Sequence, residues 1–228
     1  MSIFETAIGV FTPPECLNCG AEGSSLCEAC SKVLITPFGE RCWRCNALSP
    51  GCQTCTSCRR TGSPVFVWIV TDHDNTARDL LSLYKFGHNR AAAGAISDLM
   101  VEKFGELNRD KVSDYLVLPV PTASRRVRER GFGHAELLAK KIAIKLGAEY
   151  ANGLRRLGQS RQLGSTREAR LKQLSTSFAA KNPKNIAGRK ILLIDDVVTT
   201  GGTIIAAAQA LRAAGAGQIN ALLFAKRL

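Results

Sequence analysis

Two adjacent carboxylates, Asp195 and Asp196, follow the apolar run Ile191-Leu192-Leu193-Ile194 and lead through Val197 and Val198 into Thr199-Thr200-Gly201-Gly202-Thr203. Each carboxylate accepts hydrogen bonds at two oxygens, so a pair at one strand end suits vicinal hydroxyls such as those of a ribose. The threonines and glycines lead into a helical pattern over residues 204–214. They place hydroxyls and backbone N–H donors at the positive end of a helix, and glycine lets the backbone approach a ligand closely. This is a phosphate cradle beside a diol site. Strand-end acids and an ordinary helix cap account for a lone Asp-Asp, but two acids followed by Val-Val-Thr-Thr-Gly-Gly-Thr ask for more than capping.

A second cluster has a different chemistry. All nine cysteines lie between Cys16 and Cys58, and the 170 residues beyond have none. Cys16-x-x-Cys19 and Cys27-x-x-Cys30 form one set of four; Cys42-x-x-Cys45 and Cys55-x-x-Cys58 form another. Cys52 is left over, and Cys52-x-x-Cys55 is an alternative knuckle of equal spacing. Each pair presents two thiolates at once, and two pairs complete a tetrahedron around zinc at about 2.3 Å. A redox dithiol needs one reactive pair and does not explain four. Disulfides are disfavoured because the amino-terminal residues carry an early acid and no basic leader, which points to a reducing compartment. Four protein ligands close the coordination sphere, so the metal is expected to be structural. Trp43, between two ligands, is expected to pack this module and not to stack a base.

A third group is basic. Arg125, Arg126, Arg128 and Arg130 follow a strand that ends near Pro121. Guanidinium forks match the oxygens of a diphosphate, and the run falls on the predicted ligand edge; a solvated basic surface is the bland alternative. The formal charge is +12, and residues 119–174 carry thirteen Lys/Arg against four acids, whereas residues 1–60 carry five of each. Thiolates on zinc would make the amino-terminal part more acidic still. The partner of the middle stretch is therefore expected to be anionic.

The elements that must position these groups can be read from periodicity. Ser2 and Glu5 have capping-box spacing ahead of a short apolar face that ends at Phe11. Residues 65–71 read as a strand, and Ala77, Leu80, Leu81 and Tyr84 as a helical stripe ended by Gly87. A helix over 91–104 follows, with Gly105 just past its end. Then come a strand over 115–121, a helix over 134–147, a possible strand near 152–157, a polar basic loop over 158–174, and a strand over 190–194. A helix over 204–214 and a strand over 219–228 complete the order. Strands alternating with helices predict an α/β fold, a mostly parallel sheet covered on both faces, with ligands at the carboxyl ends of its strands. No stretch approaches the ~18 apolar residues of a membrane span. The expected organisation is a helix and zinc module over 1–62 and a ligand-binding domain over 63–228, divided into a hood at 63–113 and a core at 114–228.

The run from Ile191 to Thr203 resembles the 5-phosphoribosyl-1-pyrophosphate (PRPP) signature of the type I phosphoribosyltransferases. That resemblance implies that Asp195 and Asp196 hold the ribose hydroxyls and would be the catalytic acids if the chain turns over. It also implies that Val197, Val198, Thr199, Thr200, Gly201, Gly202 and Thr203 complete the PRPP site, and that Mg²⁺ accompanies the ligand. Thr122, Ala123, Arg125 and Arg126 would form the pyrophosphate loop.

The block "PVPTASRRVRERGF", the segment with Gln162, Leu163, Arg167 and Arg170, and "LYKFG" at 83–87 are similar to the ComF/GntX group of bacterial proteins, linked to natural transformation. The chain departs from that group at Gly133 and His134, where Asn-Gln is usual, and at Gln173, where Asn is expected. His134 reads as a general base or as the first residue of a helix. The group resemblance implies single-stranded DNA as a partner, with Arg128, Arg130, Arg161, Gln162, Arg167 and Arg170 on a flexible, DNA-facing loop. It also implies a cytoplasmic location, and a competence helicase or recombination protein as a further partner. Two function classes follow. One is a binder of PRPP and single-stranded DNA; the other is a phosphoribosyltransferase acting on a small acceptor or nucleobase without a DNA role. Aromatic residues are 6% of the chain, which supports contact with phosphates more than base stacking.

Overall fold

The computed structural model describes residues 13–86, 91–122, 127, 131–157 and 177–227. The expected helix over the first residues, the arginines at 125, 126, 128 and 130, and the loop at 158–174 lie outside them.

Short, locally bonded knuckles occupy the cysteine-rich segment, with one helix, α1 (Glu28–Leu34). The chain then enters β1 (Val67–Asp72), α2 (Asn75–Phe86) and α3 (Ala92–Leu107). β2 (Tyr115–Pro119), α4 (His134–Leu146) and the two-residue β3 (Glu149–Tyr150) follow. A small antiparallel pair, β4 (Leu154–Arg156) and β5 (Phe178–Ala180), precedes β6 (Lys190–Val198), α5 (Gly202–Ala213) and β7 (Ile219–Lys226). Five strands form one parallel sheet in the order β1-β7-β6-β2-β3. The mostly parallel α/β reading therefore holds, and the possible strand near 152–157 belongs to the small second sheet.

The near-continuous apolar runs of β6 and β7 are those of strands buried on both faces. Alternate side chains divide between two cores. Trp68, Val70, Tyr115, Val117, Leu192, Ile194, Leu222 and Phe224 pack with α2, α3 and α4. Val67, Ile69, Leu116, Leu118, Leu193, Ala221 and Leu223 pack with Ile204, Ala208 and Leu211 of α5.

Two boundaries differ from the sequence reading. β6 runs on through Asp195 and Asp196 to Val198, because Val197 and Val198 pair with Ala225 and Lys226 of β7. Gly105 lies inside α3 and not beyond it; the helix is continuous to Leu107, with Phe104 buried against the sheet.

The cysteine-rich segment covers the exposed edge of β1. Phe38 N donates to Val70 O at 2.9 Å and Thr54 N to Val65 O at 2.8 Å, while Pro37 bridges Thr71 and Gln53 bridges Phe66. An open edge is a template for unwanted pairing, and here it is blocked along much of its length. Among the described residues no helix is long and apolar enough to cross a membrane.

Candidate functional site: a carboxylate pair in a crevice, and two cysteine clusters

β2 pairs with β6 only as far as Pro119 opposite Ile194, whereas β6 stays paired with β7 up to Val198. Beyond that point one side of β6 is free, and a crevice opens there. It has a volume of about 630 Å³. Asp195, Asp196, Thr199 and Thr203 line it from β6 and the turn into α5; Pro121 and Thr122 come from the chain after β2. Arg78, Leu81, Ser82 and Lys85 of α2 form another wall, and His73, His134, Arg156 and Arg227 also line the crevice.

The two carboxylates are held from behind. Asp196 N donates to Asp195 Oδ1 at 3.0 Å, and Val197 N donates to Asp196 Oδ1 at 2.7 Å. Lys85 Nζ pairs with Asp196 Oδ2 at 2.6 Å. Desolvation, reinforced by the neighbouring Asp196 charge, pushes the Asp195 carboxyl up to about 8, against the lowering influence of the Asp196 N–H, Lys85 and Arg156. The dyad thus keeps a proton available near neutrality, and a cation or hydroxyl donor entering the crevice would favour its release.

The turn after β6 reaches α5 through Gly201, whose φ of 76° is the left-handed conformation. Gly201 serves a second purpose. A Cβ built on it would lie 2.0 Å from Cζ3 and 2.5 Å from Cη2 of Trp43, so only a glycine fits between this turn and the indole.

His134 begins α4, is buried, and packs its ring edge-on to Tyr84 and Phe132. Its carbonyl accepts from the Tyr84 hydroxyl at 2.7 Å, tying α4 to α2. Burial, and then the Asp196 charge, push the Tyr84 phenol upward, so it stays a neutral donor.

The cysteines gather as two groups of four, Cys16-Cys19-Cys27-Cys30 and Cys42-Cys45-Cys55-Cys58, with all ligand atoms of each group within 4.8 Å of one another. Cys52 is outside both: it is fully buried and its thiol donates to Gly39 O at 3.7 Å, which resolves the alternative pairing in favour of Cys58. Backbone N–H donors, chiefly that of Cys19, lower the Cys16 thiol to about 6. The Ser57 hydroxyl does the same for Cys55, also to about 6. Burial and the adjacent thiols of Cys45 and Cys55 push Cys58 up to about 12. Four sulfurs facing one point, some already prone to ionise, form a donor set that could hold a tetrahedral zinc ion.

Residues 88–228 match the phosphoribosyl transferase domain family. The chain belongs to this family. It is 28% identical over 201 residues to competence protein ComFC of Streptococcus pneumoniae, covering 87% of this chain and 86% of that protein. It is 27% identical over 210 residues to DNA utilization protein YhgH of Salmonella typhimurium, covering 90% and 86%. Among solved structures, adenine phosphoribosyltransferase from Leishmania donovani superposes with a TM-score of 0.40 at 14% identity, over 69% of this chain and 83% of that one. The phosphoribosyltransferase domain here is thus ComF-like.

Within this domain the sequence-predicted site residues divide. Asp195, Asp196, Val197, Thr199, Thr203 and Thr122 come together on the crevice wall. Val198 is buried in the core with Ile204, Thr200 is exposed and is not among the lining residues, and Gly201 rests on Trp43. Ala123, Arg125, Arg126, Arg128, Arg130, Arg161, Gln162, Arg167 and Arg170 lie outside the described residues. Sequence reasoning assigned no role to Lys85, Arg156 or Arg227. Lys85 carried a signal, its place in the "LYKFG" block; Arg156 and Arg227 had none, because only the topology brings β4 and the end of β7 to this corner.

Proposed function

We propose that the crevice binds PRPP with Mg²⁺ and that the protein handles incoming single-stranded DNA during natural transformation, in the cytoplasm. Phosphoribosyl transfer would be its chemistry where an acceptor is supplied. The observation that carries this reading is the shared wall of one cavity: a carboxylate pair, threonine hydroxyls and a helix amino terminus, at the carboxyl edge of a parallel sheet. Asp195 and Asp196 would accept the ribose hydroxyls, and the hydroxyls of Thr199 and Thr203 with the backbone of the turn between them would surround the 5′-phosphate. Thr122, with Ala123, Arg125 and Arg126, would meet the diphosphate. Bound Mg²⁺ would supply charge neutralisation at the diphosphate oxygens. Lys85 would orient Asp196 through their ion pair, and would be displaced or shared when the sugar arrives. Each cysteine set is assigned one structural zinc ion. The relatives named for competence and for DNA utilization support the DNA role, as does the basic stretch at 119–174.

A second reading, transfer to a small acceptor without DNA, is favoured by the size of the crevice, which suits a sugar phosphate and one small partner. Calorimetry with PRPP and Mg²⁺, followed by assays of pyrophosphate release with a panel of nucleobases, separates the two. On the first reading PRPP binds, Asp195→Ala and Asp196→Ala abolish that binding, and affinity for single-stranded DNA falls steeply with salt. Pyrophosphate release with one acceptor and no affinity for DNA would establish the second. No binding of PRPP at millimolar concentration would overturn both.

A further inference from the structure

The second cysteine set and the phosphate turn share a wall. Trp43 lies between the ligands Cys42 and Cys45, is only 1% exposed, and packs in one core with Val198 and Ile204, which flank the turn. Its indole N–H donates to Thr54 Oγ1 at 2.9 Å, one residue before the ligand Cys55. Both knuckles of the set therefore fix the ring, one through the backbone and one through a hydrogen bond. The ring edge occupies the space where any side chain at position 201 would stand. Two further ties bind the module to the elements around the turn, one along α5 and one at the end of β7. Gly62, at φ 86°, abuts Gln209 of α5, with Gln209 Cγ 2.2 Å from a Cβ built there. Lys226 Nζ, at the end of β7, donates to Asn46 Oδ1, one residue past Cys45.

We propose that Trp43 is a positioning residue for the phosphate turn, and that metal at the second cysteine set governs affinity for the 5′-phosphate end of the ligand by holding this indole against Gly201. A buttress of this kind acts by preorganisation. The turn must hold its N–H groups in one geometry before the ligand arrives, and a left-handed glycine unsupported on one side samples others. The residues of the first set pack in the core on the opposite face of the sheet, and among the described residues none of them joins the core that holds Trp43. The proposal rests on reading the crevice as a phosphate-sugar site.

The test uses the full chain loaded with zinc, with metal content measured for each preparation, and ribose 5-phosphate and PRPP–Mg²⁺ as titrants in calorimetry. Trp43→Ala is expected to bind both at least tenfold more weakly while retaining metal, and Trp43→Phe, which keeps an aromatic edge, to recover affinity to within threefold. Cys45→Ser is expected to weaken ribose 5-phosphate more than Cys19→Ser does. The chain has two tryptophans. Trp68 is buried in the other core, so ligand-induced changes in emission should persist in Trp68→Phe and vanish in Trp43→Phe. Wild-type affinity in metal-loaded Trp43→Ala would overturn the proposal. Should that variant fail to fold, the emission measurement decides: binding seen by calorimetry with no Trp43 response would sink it. A wild-type chain that binds neither titrant removes the phosphate reading and the proposal with it; binding that is indifferent to Trp43 removes the proposal alone.

Discussion

The two cysteine sets are close copies in their chemistry and unlike in their surroundings. Each has a buried first cysteine, an exposed second, and one thiol lowered to about 6 beside another raised to about 12. Behind the first stand Leu26 and Ile35, in the core shared with α2, α3 and α4. Behind the second stand Phe38 and Trp43, in the core shared with α5 and the end of β6. Since β1 is the edge strand between them, the segment grips the sheet from both faces. Ligand spacing decides what a knuckle coordinates; the side chains packed outside it decide what its loss would disturb.

The largest expected effect comes from removing one ligand in each set. Cys16→Ser and Cys42→Ser should each lose one equivalent of zinc. Because structural zinc contributes about 10–16 kcal/mol of apparent binding energy at neutral pH, both should lower the unfolding midpoint sharply in thermal melts. Only Cys42→Ser should also weaken phosphate ligands out of proportion to its stability loss; equal effects on ligand affinity would dissolve the distinction. Next come the apolar residues behind each set. Trp43→Ala should cost about 3–5 kcal/mol and Leu26→Ala about 2–5 kcal/mol in denaturant unfolding, with ligand affinity following the first and not the second.

Asp195 lies where the two faces meet the crevice, and its titration offers a finer probe. Its folded pKa stands above the unfolded value, so the folded state binds more protons between roughly pH 4 and 8, and stability falls as pH rises through that window. Asp195→Asn should therefore gain in melting midpoint over the unliganded wild type as pH rises from 5 to 8, and the gain should shrink toward pH 4. A gain that is constant with pH would show that the carboxyl is not raised. The smallest effect is expected at Cys52, which belongs to neither set. Cys52→Ser should retain two equivalents of zinc and cost about 1–2 kcal/mol for placing a hydroxyl in its buried position.

Much of this architecture is legible in the chain because local chemistry dictates it. The alternation of strands and helices, the pairing of cysteines by spacing, and the descent of Asp195 and Asp196 into a glycine turn all depend on neighbours within a few residues. The full length of β6 was not legible: two acids look like a strand end, and only the register of Val197 and Val198 with β7 carries the strand past them. Gly105 misled in the same way, since burial of Phe104 outweighs glycine's tendency to stop a helix. Lys85 against Asp196, and Trp43 against Gly201, join positions far apart in sequence, and no periodicity announces them.

One consequence of the strand order concerns synthesis. Val67 of β1 takes its register from Ala221, 154 positions further on. The cysteine knuckles close through nearby bonds as soon as they emerge, yet the strand they shield has no partner on its sheet side until β7 is made. An early, locally closed segment must therefore wait with its apolar flank bare. Ribosome-bound intermediates of this protein should be most vulnerable to protease and to self-association in that interval.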